Sequence, residues 1–108
     1  MATFPPKTPA ESEVFAVDFT RILGPFVTIL SGTVTATVLE GTDPTPSNIV
    51  SGPAAVGQNP VGTAGKVLLQ RIATSVEGVR YKLLFRATCS DGTNPEVETD
   101  FWSISNFT

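Results

Sequence analysis

The sequence predicts an all-β protein, a single antiparallel β-sandwich of about seven short strands with no disulfide. Three observations carry this expectation. Wherever the chain is regular, apolar and polar residues alternate with a period of two, and no stretch shows the 3.6-residue period of an amphipathic helix. Gly, Pro and Asp turn residues separate these runs at roughly ten-residue spacing, as in sandwiches. The length of 108 residues fits one domain, and by surface scaling about 65% of the unfolded chain's surface can be buried, enough for one modest core.

Residues 1–12 hold Pro5, Pro6 and Pro9 and few apolar groups, which predicts an extended arm that is mobile unless docked, with the sandwich over 13–108. From Val14 to Thr20, Phe15, Val17 and Phe19 share one strand face, opposite Asp18. Gly24-Pro25 turns the chain. Val27 and Ile29 are then apolar at odd positions, but after Ser31-Gly32 the apolar set moves to Val34, Ala36 and Val38, which predicts a bulge or a change of sheet. The uncharged run Ile22–Leu39 is long enough for a membrane helix, but Thr33, Thr35 and Thr37 alternate with its apolar residues, so it reads as strand. Gly41-Thr42-Asp43-Pro44 closes it. Between Asp43 and Lys66 the prolines and glycines leave room for short extended pieces at Asn48–Val50 and Ala54–Val56. Lys66–Ala73 is a strand. Val79–Cys89 is the clearest, with Val79, Tyr81, Leu83, Phe85, Ala87 and Cys89 on one face and Arg80, Lys82, Arg86 and Thr88 on the other. A hairpin loop over 90–95 leads into a last strand from about Glu96 to Ser105.

A local pattern narrows the sandwich to an immunoglobulin-like one. In such domains the penultimate strand opens on an acidic residue, then a small or apolar residue two positions on, then a tyrosine two further on whose hydroxyl bonds back to the preceding corner. Glu77-Gly78-Val79-Arg80-Tyr81-Lys82-Leu83 has that spacing, which makes Tyr81 a structural corner residue. Leu83 stands where an antibody domain has cysteine, and Trp102 lies on the last strand, so the expected core is purely packed.

Composition points away from enzymes. There is no histidine, which removes Ser/His triads, Cys/His dyads and HExxH zinc sites. Cys89 is the only cysteine and reads as a small core residue. With 7 Lys and Arg against 10 Asp and Glu, a formal charge of −3 and a pI near 4.7, no electrostatic footprint for nucleic acid is expected. No membrane partner, metal or cofactor is expected either, and the start of the chain shows no secretory signal, which makes assembly in a cytoplasm the expectation.

The remaining chemical patterns have plainer readings. A hairpin centred on Gly92-Thr93 would set Arg86 opposite or diagonal to Glu98 and Asp100, and Thr88 near Glu96, so the basic stripe reads as cross-strand charge pairing. Glu96 and Glu98 share a strand face, but nothing in the sequence desolvates either. Gly65-Lys66 lacks the rest of a phosphate-binding loop. Asp91, Asn94 and Glu96 surround an Asp-Gly turn, a backbone signal before it is a calcium site.

Two features ask for a partner. The arm carries Phe4 beside Pro5 and Pro6, an aromatic anchor with nothing local to pack on. At the other end, if Val97 and Phe101 face inward, Trp102 and Ile104 fall on the opposite face with Phe107 beyond, either returned to the core by a bulge or exposed as an apolar patch.

Lys7, Pro9, Val17-Asp18-Phe19, Leu23-Gly24, the Thr/Val alternation, Gly41-Thr42-Asp43 with Pro46 and Ile49, the Glu77-to-Tyr81 corner and Ser90-Asp91-Gly92 together resemble small immunoglobulin-like structural proteins of tailed bacteriophages over roughly residues 7–104. That resemblance implies a non-enzymatic virion protein, foremost a capsid decoration or cement protein binding the major capsid protein or other virion proteins, with self-association on the particle. A fibre-to-tail adaptor is the alternative, and a carbohydrate-binding module a more distant one. It carries no catalytic residues with it.

Overall fold

The computed structural model describes residues 2–3, 12–24, 26–58 and 64–104. It is all-β, with strands β1 (Ala2–Thr3), β2 (Glu13–Asp18), β3 (Ile29–Glu40), β4 (Val50–Gln58), β5 (Ala64–Ile72), β6 (Val79–Cys89) and β7 (Glu96–Ser103). They form two sheets. One has the order β1-β7-β6-β3 and the other β2-β5-β4. Every neighbouring pair is antiparallel except β1, which lies parallel on β7 with Ala2 beside Thr99 and Thr3 beside Asp100.

The strict alternation of β6 explains its central place: its six odd residues from Val79 to Cys89 are all buried, while its even residues face outward. β2 supplies Phe15 and Val17 from the facing sheet, with Phe19 just past its end, and β5 adds Leu68 and Ile72. Phe101 of β7 bridges the layers. Its ring stacks on Tyr81 with centroids 5.3 Å apart and meets Phe15 edge-on at 5.2 Å, the two favoured aromatic geometries. Cys89 is buried among these side chains and is a free thiol, so the core holds by packing without a disulfide.

The phase change in β3 is a bulge. Ile29 pairs with Cys89 and Ser31 with Thr88, leaving Leu30 as the extra residue; from Gly32 onward the even positions turn inward. The bulge therefore precedes Gly32. That glycine answers to another demand: a Cβ there would lie 2.6 Å from both methyls of Leu68, so at this close approach of the two sheets any side chain would have to displace Leu68. The loop-rich middle departs from expectation. Residues 46–49 form a short 3₁₀ turn whose Ile49 is buried, so of the piece expected at Asn48–Val50 only Val50 is strand; it opens β4, which takes in the piece at Ala54–Val56 and whose pairing with β5 slips between Ser51 and Ala55. Pro53 cannot donate to a ladder, which accounts for a slip at that place.

The hairpin register also differs from the sequence expectation. Cys89 N donates to Thr93 O, Ala87 N to Pro95 O, and Arg86 lies opposite Glu96, so the hairpin is centred on Asp91. Gly92 adopts φ +84°, which closes the chain on the Cys89 carbonyl at 3.0 Å, and Asp91 Oδ1 accepts from Thr93 N. The centre of the turn therefore lies before Gly92-Thr93, which shifts every partner on β7. Arg86 does not oppose Glu98 or Asp100.

Candidate interaction surfaces

Tyr81 is buried near the start of β6. Its hydroxyl accepts from the Val76 amide at 2.9 Å, five residues back, and donates to Asp43 Oδ2 at 2.7 Å. Burial, followed by the Asp43 hydrogen bond, pushes its pKa up to about 12. Asp43 is itself held by the Thr45 amide, so the turn after β3 and the turn before β6 are fastened to one phenol.

The outer face of the β7-β6-β3 sheet is a charge ladder in which Asp100 is the exception to the solvated pattern. Arg80 donates through both Nε and Nη2 to Asp100 Oδ2, and its Nη1 lies 3.3 Å from Glu40 Oε2. Lys82 is 3.8 Å from Glu98. Asp100 is only 1% exposed because the guanidinium lies over it and β1 runs beside it. The basic stripe is thus partly consumed by carboxylates, but it is Arg80 that pairs with Asp100 and Lys82 that faces Glu98, where Arg86 was expected.

At the lower end of this face, Trp102 and Ile104 are exposed by 36% and 40%. The β6–β7 register runs without a slip from Val79↔Ser103 to Arg86↔Glu96, so no bulge returns them to the core, and Phe101 and Val97 point inward as expected. The Arg80 guanidinium sits 6.0 Å from the Trp102 ring centroid, which steadies the indole. Phe4, Pro5, Pro6 and Phe107, the other expected partner-binding residues, lie outside the described residues. Of the arm, Ala2 and Thr3 are docked on β7 as β1.

The opposite end of the sandwich carries an apolar display that the sequence reading did not single out. Phe26 is 94% exposed and Ile22 53%, both in the loop between β2 and β3. This loop is fastened from beneath by Lys66, a buried lysine whose Nζ donates to the carbonyls of Gly24, at 2.9 Å, and Val27. Phe19 N also bonds the Lys66 carbonyl, and Val27 N the Gly24 carbonyl. A shallow cleft lies alongside, lined by Ile22, Leu23, Val27 and, from the β6–β7 hairpin, Asp91, Thr93 and Asn94. The available signal was an aromatic directly after Gly24-Pro25, where loop chemistry leaves no strand face to bury it.

No family model, curated protein or solved structure matches this chain. No helix among the described residues is long and apolar enough to cross a membrane.

Proposed function

We propose that this chain is a non-enzymatic structural protein of a bacteriophage virion with an immunoglobulin-like fold, foremost a capsid decoration or cement protein that bridges neighbouring capsid subunits. The observation that carries a docking role is Phe26, a large aromatic 94% exposed on a loop that a buried lysine holds in shape. An apolar anchor on a preorganised loop loses little conformational freedom when it enters a partner's pocket. Trp102 and Ile104 offer a second apolar place at the other end, as a bridging role requires. The immunoglobulin-like reading is supported by the pairing order, in which β2, β5 and β4 correspond to strands B, E and D and β3, β6 and β7 to C, F and G, and by the Tyr81–Val76 corner bond. The virion setting rests on the resemblance of the sequence.

The test is quantitative mass spectrometry of particles of the phage that encodes the chain, followed by rebinding of purified protein to particles lacking it. Hundreds of copies per particle, with binding reduced at least tenfold by Phe26→Ser, is the expected result. About a dozen copies would assign the chain to the tail or neck as a fibre adaptor, and absence from the particle would refute the virion reading.

A further inference from the structure

Among the described residues the two sheets end on β1, β3, β2 and β4, and three of these edges carry devices that discourage further pairing. β4 contains Pro53 and a register slip. β2 is six residues long and bracketed by Glu13 and Asp18. β1 is a two-residue strand on β7, whose neighbouring outward residues Glu96 and Glu98 are charged. β3 is different. From Ser31 to Val38 it pairs with β6 residue for residue, without a slip, and carries no charge and no proline. An uncharged, threonine- and valine-rich edge of this length is a template for another strand.

The pattern of that segment also says which strand. Laid antiparallel against itself about a two-fold axis at Thr35, it sets Thr33 opposite Thr37 of the second copy, and Thr35 opposite its own equivalent. On the inward side Val34 meets Ala36 and Gly32 meets Val38, so large residues oppose small ones throughout. Threonine pairs are favourable cross-strand neighbours, and a self-complementary patch is what a two-fold interface requires. Charge agrees: each copy is −3 overall, yet no ionisable group lies in the eight paired positions, and Glu40 just beyond them is engaged by Arg80. The same register brings Leu39 opposite Ser31 and Leu30 opposite Glu40. Leu39 and Leu30, exposed by 38% and 65% at the two irregularities that bound the segment, would each gain cover from the second chain.

We propose that β3 pairs antiparallel with β3 of a second copy across a two-fold axis at Thr35, joining the two β3-containing sheets into one continuous sheet. This inference stands apart from the virion reading and survives its failure.

Sedimentation velocity of the full chain tests it. The wild type is expected to sediment as a dimer within concentrations up to about 100 µM, a range that includes weak pairs. Thr35→Lys and Thr35→Glu should each sediment as monomers, because like charges then face each other at the axis, while an equimolar mixture of the two variants regains the dimer. Thr35 is exposed on the outer face, so at concentrations low enough for the wild type to be monomeric both variants should keep its melting curve. As an independent readout, Thr35→Cys should form an intermolecular disulfide under mild oxidation at least tenfold faster than Thr88→Cys, since only the axial pair lies within disulfide reach. A monomeric wild type, variants that remain dimeric, a mixture that stays monomeric, or equal cross-linking of the two cysteine variants would each overturn the proposal.

Discussion

The Tyr81 hydroxyl donates to Asp43 Oδ2 at 2.7 Å while accepting the Val76 amide at 2.9 Å, so one buried phenol ties together turns 38 and five residues away along the chain. Replacing it with phenylalanine removes both bonds and leaves the Val76 amide and the Asp43 carboxylate each short of a partner. Tyr81→Phe should therefore cost about 1.5–3 kcal/mol in denaturant melts, and Tyr81→Ala about 3–5 kcal/mol through the added cavity beside Phe101.

The same phenol makes stability depend on alkaline pH. Its pKa in the folded protein is about 12, above the ordinary tyrosine value of 10, because burial and the Asp43 carboxylate disfavour the phenolate. Its contribution is complete below pH 10, where both states hold the proton. It is lost as pH rises through 12, since the unfolded chain ionises first. Chemical denaturation between pH 9 and 12 should show a fall on the order of 1–3 kcal/mol that is missing in Tyr81→Phe; equal slopes in the two proteins would remove Tyr81 as its source.

Arg80 and Arg86 stand on the same face of β6 and should differ sharply. Arg80→Met leaves the buried Asp100 carboxylate without its guanidinium and should cost about 2–4 kcal/mol. Arg86 is exposed opposite an exposed Glu96, so Arg86→Glu should cost about 1 kcal/mol or less. Comparable losses for the two would contradict the burial of Asp100 beneath Arg80.

Gly32 and Leu68 form a steric pair between the sheets. Gly32→Ala alone should destabilise by about 1–3 kcal/mol, because the new methyl must displace Leu68 and also approaches the Arg86 carbonyl to 3.0 Å. Gly32→Ala combined with Leu68→Val should cost less than the sum of the two changes, a coupling that a double-mutant cycle reads directly.

Lys66 shapes the Phe26 loop. Lys66→Met removes the amine that ties the Gly24 and Val27 carbonyls together and leaves the Gly24 carbonyl only the Val27 amide, so amide exchange in residues 26–28 should accelerate at least tenfold while β6 amides keep most of their protection. The global loss should stay near 1–3 kcal/mol. Unchanged exchange in the loop would show that the lysine does not hold it.

Local alternation was enough to determine β2, β3, β5, β6 and β7, but not β1 or the extent of β4. The odd-residue face of β6 and the inward Phe15 and Val17 could be read directly, because the two faces of a strand differ in burial and the chain records that difference every second residue. The phase change of β3 was legible for the same reason. What alternation does not encode is which residue of another strand lies opposite. The hairpin pairs Arg86 with Glu96, and not with Glu98 or Asp100, because Gly92 closes the turn centred on Asp91. Asp100 is buried because Arg80 reaches across from β6, and Lys66 because two loop carbonyls from about 40 residues away converge on its amine. Trp102 and Ile104 could have gone either way until the unbroken β6–β7 register placed them outside. Each of these outcomes depends on a contact between segments distant in sequence, where one residue of register changes the partner; side-chain period is a property of one strand, and only the folded chain sets one strand against the next.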